Sequence, residues 1–157
     1  MTLFDLRKEY GLSQLDAAII CGIPLRTYIR YERDNDYGSG LKRTAMIKAL
    51  NDKCEITEEK GILSLDQIMK GVRNIIETKY QKNISMCYLF GSYAKGYATD
   101  KSDVDLCVST ELRGLDFVGL AEDIHIKLHK KVDLIRLDNA GTDLICEIMK
   151  DGLKIYG

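Results

Sequence analysis

Between Leu89 and Val108 the chain reads LFGSYAKGYATDKSDVDLCV. An apolar run enters Gly91-Ser92. Ten residues further on come Asp103 and Asp105, with Val104 between them and Leu106 behind. This stretch restricts the fold more than any other. Both flanking runs, Ile84 to Phe90 and Val104 to Val108, are rich in strand formers, and side chains two apart on a strand share a face. Asp103 and Asp105 are therefore expected side by side on one short strand. Neighbouring carboxylates repel each other and are costly to bury unless a cation offsets them. Oxygen ligands clustered in this way suit Mg²⁺, which uses a few carboxylates and completes its shell with phosphate and water. A third expected strand, Val132 to Leu137, carries Asp133 between Val132 and Leu134. Beside the second strand it would bring Asp133 to the same face and complete a site for two metal ions.

Gly91-Ser92 supplies the other half of such chemistry. Glycine lets the backbone come close to a phosphate, and the amide and hydroxyl that follow can donate to its oxygens. Lys95 offers a second phosphate contact. The segment is not a Walker loop, because Gly96 is followed by Tyr97-Ala98 rather than Lys-Ser or Lys-Thr.

The rest of the chain divides by rhythm. Before residue 53 it reads as short helices. Leu3, Leu6 and Tyr10 mark one face, Ser13 and Asp16 form a capping box, and Pro24 is placed to open a third helix. Tyr28 and Tyr31 point inward, Asp34 to Gly40 is turn-rich, and Leu41 to Asn51 makes a fourth helix. Residues 54–63 are polar and read as a linker. A helical stripe from Leu65 to Lys79 follows, then the three strands, with a helix through Phe117, Leu120, Ile124 and Leu128 before the last of them. Leu144 to Lys150 forms a final helix. The expected architecture is thus two small domains, an all-α unit (1–53) followed by an α/β (α+β) unit (64–157).

Composition limits the function classes. The 157 residues carry 23 Lys plus Arg against 24 Asp plus Glu, a net charge of -1. That excludes a chain whose whole surface wraps nucleic acid but allows a local patch. No apolar run approaches the ~20 residues a spanning helix needs, and the five cysteines form no C-x-x-C pair. A cytoplasmic protein with buried free thiols is expected. His125 and His129 stand at a metal-like spacing, yet Ile126 fills the position of a zincin glutamate, so a solvated helix face is the expectation there.

From Ser64 to Gly157 the chain resembles the minimal nucleotidyltransferases of the DNA polymerase beta superfamily. The resemblance rests on Gly91-Ser92, the ten-residue gap, Asp103-x-Asp105 and the distant Asp133. It implies Mg²⁺ (two ions) and the triphosphate held by Asp103, Asp105 and Asp133, with Asp133 also accepting the proton of an attacking hydroxyl. It places Gly91, Ser92 and Lys95 on the phosphates, and in-line attack at the α-phosphorus of ATP. Larger members carry a substrate domain, whereas here 24 residues follow Asp133, so the acceptor is expected on a partner. Minimal members are commonly antitoxins that transfer AMP to a tyrosine of a HEPN-type ribonuclease toxin. The chain is not itself such a toxin, because Arg113 lies too far before His125 for the Arg, four to six residues, His motif.

Residues 11–34, GLSQLDAAIICGIPLRTYIRYERD, resemble a helix-turn-helix of the XRE/Cro type. The resemblance implies that Leu25, Arg26, Thr27 and Arg30 face base edges in a major groove, with Gln14, Lys42 and Arg43 on phosphates. Ile19 and Ile20 replace the usual charged residues and imply a dimer or partner contact. The expected protein is an antitoxin adenylyltransferase that represses its own operon, as a homodimer or in a toxin-antitoxin complex. The alternative is a transcriptional regulator or contact antitoxin whose second domain binds nucleotide without turnover. A small-molecule nucleotidyltransferase would be favoured only by activity without a protein partner.

Overall fold

The computed structural model describes residues 1–157. They form two compact units, Met1–Glu55 and Ile56–Gly157.

Four helices make up the first unit: α1 (Leu3–Glu9), α2 (Gln14–Ile20), α3 (Leu25–Arg33) and α4 (Gly40–Cys54). Thr2 and Ser13 open α1 and α2 with reciprocal capping boxes to Asp5 and Asp16, a motif whose cap contributes about 1 kcal/mol. Gly11 and Gly22 take φ values of 64° and 65°, the left-handed conformation that lets the chain leave one helix and turn sharply into the next. Pro24 differs from expectation by one place. It caps α3 at φ -59° with extended ψ, and Leu25 is the first helical residue. α4 starts one residue before and ends three after the expected Leu41 to Asn51. Leu3, Leu6, Ala17, Ala18, Tyr28, Tyr31, Met46 and Leu50 fill the core, so both tyrosines point inward as their spacing implies.

Charged groups also enter this core. Arg7 Nε donates to Glu32 Oε1 at 2.6 Å with both residues buried. Arg7 Nη1 donates to the Leu12 carbonyl at 2.9 Å, and Gln14 Nε2 donates to the other Glu32 oxygen at 2.5 Å. One carboxylate thus ties together α1, α2 and α3.

The second unit is built on α5 (Leu65–Ile75), β1 (Ile84–Phe90), α6 (Gly91–Lys95), β2 (Val104–Thr110), α7 (Gly114–Leu128), β3 (Val132–Arg136), α8 (Thr142–Asp151) and β4 (Leu153–Tyr156). The sheet order is β3-β2-β1-β4. β1 runs antiparallel to both β2 and β4, while β2 and β3 are parallel. A parallel pair needs a long crossover, which α7 supplies. Ile68, Val72, Cys87, Leu89, Leu106, Val108, Leu120 and Ile124 form the larger core beneath α5 and α7. Gly71 permits that packing, since a Cβ there would come within 2.6 Å of Leu128 Cδ2. On the opposite sheet face α8 packs through Ile148 against Phe90 and Cys107.

Several elements depart from the sequence reading. The stripe expected to run helically to Lys79 closes in a π-helical turn, Ile76–Tyr80. β2 runs on to Thr110, and the third strand ends at Arg136 with a 3-10 turn at Leu137–Asn139. β4 and α6 have no counterpart in the sequence pattern, because runs of four and five residues are too short to show a period. Cys54 belongs to α4 rather than to the linker, and beyond it Thr57 and Lys60 pair through their backbones. None of the five cysteines forms a disulfide. Burial pushes the Cys87 thiol up to about 12, whereas Cys146 is exposed, against the expectation of uniformly buried thiols. No helix is long and apolar enough to cross a membrane.

Candidate active site

The end of β1, the start of β2 and the start of β3 meet at one end of the sheet. Their register pairs Phe90 with Asp105, and Asp105 with Asp133. Residues directly opposite on adjacent strands point to the same face, with strands ~4.8 Å apart. The two carboxylates therefore stand on one side of the sheet, on neighbouring strands. Asp103 is not in the strand, contrary to expectation. β2 begins at Val104, and Asp103 closes the preceding loop, whose end is fixed by the Val104 amide donating to the Lys131 carbonyl at 2.9 Å.

The Asp105 carboxyl is pushed up to about 6, first by burial and then by the negative charges of Asp133, Asp103 and Glu147. A carboxylate whose neighbours share its sign resists ionisation. Gly91 faces the same group. Its φ is 70°, and a Cβ at this position would run into the Asp105 carboxylate. Glycine is thus required twice, by backbone conformation and by space.

Gly91 and Ser92 open α6, a five-residue helix without a side-chain cap, so its first amides are not used within the helix. The Ser92 carbonyl accepts from the Gly96 and Tyr97 amides at 3.0 and 3.1 Å, which closes the turn. Lys95 has a protein partner already: its Nζ lies 2.6 Å from Glu147 Oε1, and that contact raises its pKa. Glu147, on α8, was missed in the sequence. Nothing in its local pattern separates it from other glutamates on helix faces; only the fold brings it beside Asp105 and Lys95.

No group of three or more His, Cys, Asp or Glu side chains converges as a ready metal site. The donor set is an open one, two carboxylates on adjacent strands and a third on the loop between α6 and β2. That fits Mg²⁺, which takes few protein ligands and keeps sites for phosphate and water. Asp103, Asp105 and Asp133 are the residues that could hold it.

The profile described as Polymerase beta, Nucleotidyltransferase matches residues 72–157. The chain belongs to this nucleotidyltransferase family. It is similar to the protein adenylyltransferase MntA of Shewanella oneidensis, 30% identical over 97 residues, or 60% of this chain and 66% of that protein. It is similar also to the putative protein adenylyltransferase MJ1379 of Methanocaldococcus jannaschii, 31% identical over 80 residues, 48% of this chain and 78% of the other. Among solved structures, a toxin-antitoxin crystal structure with AMP-PNP aligns over 57% of this chain and 73% of that chain, at 26% identity and a TM-score of 0.49.

The remaining candidates lie in the four-helix unit. Leu25, Arg26 and Arg30 are exposed on α3, with Thr27 half-buried, and Lys42 is exposed on α4. Gln14 and Arg43, expected on phosphates, are engaged internally. Gln14 is bound to Glu32, and the Arg43 guanidinium donates to the carbonyls of Tyr31 at 2.7 Å and Asp34 at 2.8 Å while lying over the Tyr31 ring. Ile19 is 68% exposed, whereas Ile20 packs partly into the core. The two histidines diverge. His125 Nε2 lies 2.7 Å from Glu58 Oε1, and His129 leaves the helix in a left-handed conformation.

Proposed function

We propose that the chain is a Mg²⁺-dependent protein adenylyltransferase that transfers AMP from ATP to a tyrosine of a HEPN-type toxin and so acts as its antitoxin. The observation that carries this reading is the register of Asp105 with Asp133, with Gly91 set against the Asp105 carboxylate. Family membership and similarity to a protein adenylyltransferase support it.

In this reading Asp103 and Asp105 hold the metal and, through it, the triphosphate. Mg²⁺, when bound, screens the phosphate oxygens and supports charge on the departing pyrophosphate. Gly91 and Ser92 receive the phosphates on their amides and the Ser92 hydroxyl. Lys95 and Glu147 border the site as a pair, with the ammonium available to a phosphate if the pair opens. Asp133 is the most exposed of the three aspartates, which suits a group that takes the proton of the acceptor hydroxyl and returns it to water. The first unit serves as the operator reader: Arg26, Arg30, Leu25 and Thr27 meet bases, and Lys42 meets a phosphate. Exposed Ile19 adds an apolar contact for a homodimer on a palindromic site.

The test mixes the protein with Mg-ATP and the product of the neighbouring gene. Mass spectrometry is expected to find an AMP adduct on a tyrosine of that partner, lost when Asp103→Ala and Asp105→Ala are combined. Absence of an adduct, or an adduct unchanged by the double substitution, overturns the reading. Neutralisation of the toxin by the double variant would instead identify a contact antitoxin that needs no turnover.

A further inference from the structure

Lys130 has no exposed surface at all. A buried ammonium is rare, because leaving water costs several kcal/mol unless its protons find acceptors. Three backbone carbonyls receive this one: Asp100 at 2.5 Å, Lys60 at 3.3 Å and Glu58 at 3.4 Å. They come from two segments remote in sequence. Glu58 and Lys60 belong to the turn closed by the Thr57–Lys60 backbone pair. Asp100 lies in the loop between α6 and β2.

That loop ends at Asp103. Its internal bonds are few, chiefly the Ser102 amide to the Thr99 carbonyl at 3.0 Å and the Thr99 amide to Ser102 Oγ at 2.8 Å. External anchors come from two consecutive residues. The Lys130 side chain holds the Asp100 carbonyl, and the Lys131 carbonyl accepts from the Val104 amide. Asp103 therefore sits between two fixed points, both supplied by the residues that lead into β3 and Asp133. All three acceptors of the ammonium are neutral, so its charge is not cancelled by a direct ion pair. Asp100, Asp103 and Glu58 act on it at longer range, against the effect of burial.

We propose that Lys130 is a positioning residue of the carboxylate site. By clasping the Asp100 carbonyl it fixes the 96–103 loop, and so sets where the Asp103 carboxylate stands relative to Asp105 and Asp133. The proposal rests on reading those carboxylates as the metal–nucleotide site.

The experiment uses the full chain with Mn²⁺ in place of Mg²⁺, together with ATP, and needs no acceptor. Electron paramagnetic resonance gives both the affinity and the coordination spectrum. The unaltered protein is expected to bind Mn·ATP. Failure there sinks the functional reading itself, and the present proposal with it, before any variant is measured. Lys130→Met keeps the stem and removes the ammonium. It should bind Mn·ATP about 10–100-fold more weakly, the usual effect of losing a group that orients a metal ligand, and Lys130→Arg should recover part of the loss. A Lys130→Met protein that melts at lower temperature but binds Mn·ATP with unchanged affinity and spectrum shows a merely structural lysine and overturns the proposal. Should Lys130→Met fail to fold, ¹⁵N-lysine resonances of the unaltered protein decide. Mg-ATP is expected to shift the Lys130 Nζ signal and leave that of exposed Lys70 in place; an unmoved Lys130 signal contradicts the proposal.

Discussion

In the four-helix unit Arg7 and Glu32 are both buried and meet at 2.6 Å. In the sheet-containing unit Asp105 is partly buried among Asp103, Asp133 and Glu147, and no side chain of opposite sign pairs with it. The first arrangement is complete: the Glu32 oxygens accept from Arg7 and Gln14, and the guanidinium also reaches the Leu12 carbonyl. The second holds charges that the protein leaves unbalanced. Paired buried charge fixes how helices cross, while the carboxylates at the sheet end have no cation set against them, which is where the proposed function would place Mg²⁺. Lys95 follows the same logic, since its partner Glu147 adds to the negative field at Asp105 and is itself neutralised only by Lys95.

Substitutions can break this contrast in order of size. Combining Asp103→Ala with Asp105→Ala should lower AMP transfer on the order of 10³-fold or more, since metal-assisted charge stabilisation is worth several kcal/mol; mass spectrometry of the partner reads it. Glu32→Ala leaves the Arg7 guanidinium buried without its carboxylate. It should cost about 3–5 kcal/mol of the first unit's stability in urea unfolding, with no effect on Mn·ATP binding by the second. Gly91→Ala joins a left-handed strain of ~1–2 kcal/mol to a clash with Asp105, and should weaken Mn·ATP binding while the protein still melts cooperatively. Arg26→Ala should lower operator affinity by about 1–3 kcal/mol if it reads a base. Arg43→Ala, which removes an internal brace, should lower the melting temperature with little change in the salt dependence of DNA binding. Tyr80→Phe deletes the 2.6 Å bond from the Tyr80 hydroxyl to Asp123 and should cost only about 1 kcal/mol.

What was legible in the sequence follows the same division. β1 is legible to the residue, because a seven-residue apolar strand closing on Gly91-Ser92 has a strong pattern at both ends. Ser13 and Asp16 announced their capping box because the motif is local. Asp133 could be named as a partner of Asp105 because both sit in short apolar strands, although the parallel register that aligns them needs the α7 crossover and is not written locally. The Arg7–Glu32 pair, Glu147 and Lys130 were not legible. Each looks like an ordinary charged residue, and only contacts across 25 to 72 positions give it a role. Gln14 and Arg43 run in the reverse direction: their types suit phosphate, and the fold also gives them internal partners that no local pattern shows.

The unbalanced carboxylates can be tested most directly by two melting curves each for the unaltered protein and Asp105→Asn. Without nucleotide or metal, the asparagine relieves repulsion at a partly buried site and should melt higher, by on the order of 1 kcal/mol of added stability. With saturating Mg-ATP the order should invert, because the unaltered protein gains the binding energy and the variant has lost a ligand. An Asp105→Asn protein that melts lower in both conditions, or that gains as much from Mg-ATP as the unaltered chain, would contradict the account.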